Sequence, residues 1–182
     1  QVGQMRCLTE LQRTSEAAAA AKKVIANDDA NADLKAQAGL AVGQGAINDN
    51  DLDAAYTRFK GIANASNNVY GAEAAYNMAY VRYLQKRYKD AEKEVFSLVK
   101  KFPSYDHWKA KAFILLGDIY VGMDDLFQAK STLQSVIDHC NEPDLVTQAS
   151  ERLANIKENA PAKTSTDSIP AEDNTIPMPG SK

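Results

Sequence analysis

Cysteine and proline are scarce in this chain, and neither is placed where it would define the fold. The 182 residues include two cysteines, Cys7 and Cys140. A disulfide needs Cα atoms within about 7 Å, and these two fall at opposite ends of the repeat described below. No bridge between them is expected, and both read as small hydrophobic fillers. Free thiols lean toward a reducing compartment. Before residue 160 the only prolines are Pro103 and Pro143, so long stretches are free to be helical. No run approaches about 18 apolar residues, so no membrane-spanning helix is expected. Positive charge is not in excess either: 21 Lys and Arg against 24 Asp and Glu give a net charge of −3. The basic stripe that neutralises phosphates is missing, and nucleic acid is not an expected partner. Alternation of β-branched and polar residues is absent, which argues against strands.

What is there is a recurring pattern. AEAAYNMAYVRYLQKRYKDAEKEVFSLVKKFP, from Ala72 to Pro103, aligns without gaps on the segment from Ala110, AKAFILLGDIYVGMDDLFQAKSTLQSVI. Ala91 falls on Ala129, Val95 on Leu133 and Val99 on Ile137. The same frame picks out Ala55, Phe59 and Ala63 upstream, and Ala17 and Ile25 before them. The anchors Ala17, Ala55, Ala91 and Ala129 are spaced 38, 36 and 38 residues apart. A fixed period in this range means stacked helical hairpins. The fold class expected is all-α, an α-α superhelix of antiparallel helix pairs.

Helical spacing predicts helices over Val2–Leu11, Ser15–Ala26, Asp33–Ile47, Leu52–Asn64, Gly71–Gln85, Tyr88–Lys101, Asp106–Val121, Leu126–Cys140 and Asp144–Glu158. They group as a partial repeat (1–31), three repeats (about 33–68, 70–105 and 106–142) and a capping helix (143–158). That last helix presents Leu145, Ala149, Leu153 and Ile156 on one face. After 158 the composition changes. Four of the six prolines fall there, with Ile169, Ile176 and Met178 almost the only bulky apolar residues. Such a stretch cannot offset the entropy of ordering its backbone, so 159–182 is expected to be a disordered tail, with a short linear motif around Ile176–Met178 as the alternative. The start, QVGQMRCLTELQR, lacks the apolar stretch of a signal peptide. It enters the pattern partway, and the expectation is a segment of a longer array.

The pattern resembles the tetratricopeptide repeat, W-x2-L-G-x2-Y followed by A-x3-F and a closing proline over about 34 residues. The fourth unit has Phe113 at the tryptophan position, then Leu116, Gly117, Tyr120, Ala129 and Leu133. The third has Met78, Ala79, Tyr88, Ala91, Val95 and Pro103, with Ala75 at the first position. The second keeps Val42, Gly43, Ala55 and Phe59, but has Gly39 and Ala46 where large residues are usual. The resemblance implies that Gly43, Ala79 and Gly117 sit where the first helix of a hairpin presses on the second. Periods above 34 are similar to those of bacterial tetratricopeptide proteins of the cell envelope, including outer-membrane assembly lipoproteins. That similarity implies the periplasm or cell envelope, with the cytoplasm left open.

Chemistry is thinly represented. Neighbours on a helix point about 100° apart, so His139 and Cys140 do not form a nucleophile and base pair. His139 reads as a helix C-terminal cap, and His107 opens a helix beside Trp108, with placement in the preceding loop as the plainer reading. Asp49, Asp51 and Asp53 imitate a calcium loop, but Ala54 and Lys60 stand where glycine and glutamate are required. Asp51 or Asp53 is better read as a helix cap, like Asp125. No enzyme activity, cofactor or metal is expected.

The function expected is therefore a non-catalytic scaffold that holds a protein or peptide partner in the concave groove. The alternative is a structural subunit whose repeats self-associate or stack on further repeats. The resemblance implies that the first helix of each pair lines the groove, with Gln37, Leu40, Gln44 and Ile47, then Glu73, Tyr76, Tyr80 and Tyr83, then Lys111, Ile114, Asp118 and Val121. Tyr76, Tyr80 and Tyr83 share one helix face. They read either as a peptide platform or as packing between repeats. The family's clamp for C-terminal carboxylates, a Lys-Asn-Asn-Lys-Arg set, falls on Leu40, Gln44, Asn77, Lys111 and Leu115. Only Asn77 and Lys111 match, so chaperone-tail recognition is not expected. The candidate groove residues are Tyr76, Tyr80, Tyr83, Asn77, Gln44, Lys111 and Asp118.

Overall fold

The computed structural model describes residues 2–11 and 13–158. The tail expected at 159–182 lies outside the described residues. Among those described there are nine helices and no strand: α1 (Val2–Glu10), α2 (Thr14–Ile25), α3 (Ala32–Asn48), α4 (Leu52–Ala65), α5 (Val69–Leu84), α6 (Tyr88–Lys101), α7 (Asp106–Gly122), α8 (Leu126–His139) and α9 (Pro143–Glu158). The start of α5 lies two residues ahead of the expected one, because the Asn68 side chain accepts hydrogen bonds from the Tyr70 and Gly71 amides and caps the helix there. α9 opens on Pro143, a residue suited to the first helical position, where the missing N–H costs no hydrogen bond.

The helix-to-helix turns inside the hairpins are alike. Asn50, Lys86 and Asp124 all adopt φ near +60° (60°, 58° and 62°). The residue after each donates its amide back across the helix end: Asp51 to Ala46 O, Arg87 to Arg82 O and Asp125 to Tyr120 O, at 2.8–2.9 Å. Arg13 makes the same bond to Leu8 O at 2.9 Å. Two capping solutions alternate. Asp51 and Asp125 accept from the Ala54 and Gln128 amides. Arg13 and Arg87 cannot accept, and instead bind Glu16 and Asp90 one turn on.

Contacts between helices set the curvature. α1, α3, α5, α7 and α9 form a continuous row in which each touches the next. Among the described residues the backbones of α2, α4, α6 and α8 do not approach one another; α4 and α6 are bridged by long side chains, Tyr56 to Glu94 and Lys101 to the Ala63 carbonyl. A stack in contact along one side and splayed along the other is concave on the contacting side. α9 takes the place of a first helix in this row and packs on both α7 and α8.

The core runs through the stack. Met5, Ala21 and Val24 are buried between α1, α2 and α3. Phe59, Val95, Leu98 and Phe102 fill the centre, and Leu133, Leu145 and Ala149 fill the α7–α9 end. Removing each large side chain from water contributes about 1.5–3 kcal/mol. The small-residue contacts implied by the repeat frame are present at Gly43 and Gly117. A Cβ at Gly43 would lie 2.5 Å from the Phe59 ring, and one at Gly117 2.7 Å from Leu133 Cγ. Cys7 differs from its expected filler role: its thiol is exposed on α1. Its neighbours Met5 and Leu8 supply the buried face instead. His107 is helical, not a loop residue. It sits in the first turn of α7, where its Nδ1 lies 2.6 Å from Glu142 Oε2.

Candidate functional site

The inner row presents the candidate residues in two separate recesses. Gln44 and Asn77 belong to the first, about 350 Å³, with Arg6 and Gln37, whose side chains are hydrogen-bonded at 3.1 Å, and with Leu40 and Glu73. Tyr76, Tyr80, Tyr83, Lys111 and Asp118 belong to the second, where α5 meets α7 and α9. Helical periodicity brings the three tyrosines of α5 together. Tyr76 and Tyr80 have ring centroids 6.4 Å apart and planes within 4°; Tyr80 and Tyr83 are also 6.4 Å apart, at 22°. Tyr88 extends the row, 6.0 Å from Tyr83.

α7 closes the other side. Trp108 tilts against Tyr76 at 5.6 Å, and the Lys111 ammonium lies 5.1 Å from the Tyr76 centroid and 4.7 Å from that of Trp108. A cation over two aromatic faces is held by their quadrupoles. α9 supplies Gln148 and Arg152, and Arg152 Nε donates to both Asp118 oxygens at 3.1 and 2.8 Å. The gap left between these side chains is about 60 Å³, room for no more than a few waters. The row is thus half-buried, packed against α7 and still open along one side.

The electrostatics follow from that partial burial. The Tyr76 phenol is pushed up to about 12, first by burial and then by Tyr80. Burial raises the Asp118 carboxyl above its ordinary range, although Arg152 pulls the other way. Burial lowers the Lys111 ammonium, opposed by the charges of Glu73 and Glu142. Glu73 is raised by burial, opposed by Lys111 and His107. This is a surface that would desolvate a ligand and meet it with few free charges.

The tyrosine hydroxyls divide into two groups. Tyr56 donates to Glu94, Tyr120 to Glu92 and Tyr105 to the Asn67 carbonyl. Among the described residues the hydroxyls of Tyr76, Tyr80 and Tyr83 have no such partner, and none of them is a sealed, unsatisfied polar atom. Trp108, Gln148 and Arg152 were not among the sequence candidates. Extending the repeat frame by one more helix finds two of them, since Gln148 and Arg152 follow Ile114 and Asp118 by one period. A further recess, about 890 Å³, lies off this face between α3 and α4, where Gly39 replaces the large residue that Phe113 supplies in the fourth unit. Among the described residues no three His, Cys, Asp or Glu side chains are grouped to hold a metal ion, and no helix is long and apolar enough to cross a membrane.

No family profile and no curated protein sequence matches the chain. The crystal structure of MamA is similar in fold: TM-score 0.57 at 17% identity, covering 85% of this chain and 92% of that one. At that identity the likeness concerns architecture alone, a helical solenoid of tetratricopeptide-like hairpins.

Proposed function

We propose that the chain is a non-catalytic protein-interaction scaffold of the tetratricopeptide type, whose concave face holds a peptide or a partner helix. The observation that supports this best is the row of Tyr76, Tyr80 and Tyr83, parallel or nearly so, half-buried, with three hydroxyls that have no hydrogen-bond partner among the described residues. Tyrosine combines a rigid apolar face with a polar tip, the combination enriched at binding hot spots. Gln44 and Asn77 would add amide donors and acceptors in the neighbouring recess, and Lys111 and Asp118 would border the row. The test is capture of protein partners on the immobilised chain, compared between wild type and the double variant Tyr76→Ala, Tyr80→Ala, with helicity checked by circular dichroism. Capture should drop while helicity holds. Undiminished capture by a folded double variant would remove the concave face as the site.

Self-association is the second reading. It is favoured by two large apolar side chains on the outer helices, Phe96 at 50% exposure and Phe127 at 80%. Sedimentation or size exclusion over a dilution series separates the two readings, because self-association shifts with concentration.

A further inference from the structure

We propose that the tyrosine row is a docking surface for the chain's own segment Ile176–Pro179. This rests on the concave face being a peptide groove, and it names an occupant for it.

The first support is where the described chain stops. α9 lies in the inner row and turns Gln148 and Arg152 toward the tyrosines. Its end at Glu158 is six residues past Arg152, about 9 Å at the helical rise. The described chain therefore ends on the inner row, two helices from α5. The second support is length. Packed helices lie about 8–10 Å apart, so two helix spacings from α9 to α5 amount to roughly 20 Å. Residues 159–175 provide a link of 17 residues, able to span up to about 55 Å when extended.

The third support is chemistry. In Ile176-Pro177-Met178-Pro179 the prolines fix φ and remove two amide donors. Such segments favour polyproline II, whose carbonyls have no internal partner, and they bind aromatic-lined grooves. The free tyrosine hydroxyls supply donors for those carbonyls, and Met178 adds a thioether suited to aromatic contact. Charge is complementary as well. Glu172 and Asp173 precede the segment, and Lys111 makes no ion pair among the described residues. Tethering places the segment at an effective concentration in the millimolar range, so a contact that is weak between molecules is populated within one. An outside ligand then competes with it, and its apparent affinity falls by the fraction of the groove that is free.

Methyl NMR on the full chain tests this, with a synthetic peptide of residues 169–182 as the unbound reference. The Ile176 and Met178 methyls should move upfield, as they do over aromatic faces, by the same amount at every protein concentration. Tyr80→Ala with Tyr83→Ala should abolish the shift. Ile176→Gly with Pro177→Gly, outside every helix described, should move the Tyr80 and Tyr83 ring resonances and leave the helical amides in place, which keeps the test independent of whether the tyrosine variant folds. Methyls at the peptide's positions overturn the proposal. An upfield shift that grows with concentration also overturns it, and assigns the groove to a second copy. If the methyls are unshifted while Tyr76→Ala, Tyr80→Ala still abolishes partner capture, self-docking fails and the groove reading stands.

Discussion

Gly117 on α7 and Leu133 on α8 meet with no room for a side chain between them. A Cβ on Gly117 would stand 2.7 Å from Leu133 Cγ and 2.8 Å from Cδ2, distances that ordinary packing does not allow. Gly43 meets the Phe59 ring in the same way. In the hairpin between them the repeat frame sets Ala79 opposite Val95, both fully buried. Where the glycine becomes alanine, its partner is the shorter valine. Gly117→Ala should therefore destabilise by about 1–3 kcal/mol through overpacking, and Leu133→Val in the same chain should recover part of that loss. A urea-unfolding double-mutant cycle should show coupling of about 0.5 kcal/mol or more. Strict additivity would mean that the two sites are independent.

The shared left-handed turn offers a second test. Lys86 and Asn50 both sit at φ near +60°. An ordinary side chain there costs about 1–2 kcal/mol, and asparagine is better tolerated. Glycine removes that cost but adds entropy to the unfolded chain, worth about 0.4–1 kcal/mol. Lys86→Gly should stabilise by several tenths of a kcal/mol to about 1 kcal/mol, and Asn50→Gly by less. Equal gains at the two positions, read from denaturant midpoints at constant m, would contradict a side-chain-dependent strain.

Helix extents were legible in the sequence because each hairpin repeats the same apolar spacing and ends on Asn, Asp, Gly or Pro. The exceptions have local causes. Asn68 caps α5 earlier than the apolar pattern alone indicated, and Pro143 opens α9 one residue before the expected Asp144. The tyrosine row was legible as a stripe on one helix. What faces it was not, because Trp108 reaches it from the next hairpin and Arg152 from the helix after that. Periodicity gives the face of a helix; only the stacking angle decides which neighbour covers it. Hence the sequence left open whether the row is groove or packing, and Tyr76 is packed against α7 while its hydroxyl has no hydrogen-bond partner among the described residues.

Arg152 and Asp118 fasten α9 to the inner row. The pair is partly exposed, at 37% and 26% of the side chains, so solvent screens it and it contributes about 1 kcal/mol or less. Arg152→Ala should lower the melting temperature only slightly. Amide exchange should quicken in α9 while α3 and α4 stay protected, because in a stack each unit leans mainly on its neighbours. The Asp118 carboxyl, already raised by burial, should rise further once Arg152 is gone. A carboxyl-carbon titration checks this, and an unchanged or lowered midpoint would show that the guanidinium does not act on Asp118.

Tyr76 ties the row to alkaline stability. Its phenol is pushed up to about 12, with burial the main cause, against about 10 in the unfolded chain. The folded form therefore keeps the proton over a range in which the unfolded form has released it. Stability depends on pH through the difference in bound protons, and between about 10 and about 12 the folded state binds more. The contribution of Tyr76 is complete below pH 10 and is lost as pH rises toward 12. Ultraviolet titration at the phenolate band should show a tyrosine ionising well after the exposed ones, and Tyr76→Phe should remove that late step. The same variant should flatten the fall in stability across this window, since phenylalanine has no proton to lose. If the late step survives in Tyr76→Phe, the buried phenol is a different residue and α7 does not cover Tyr76 in solution.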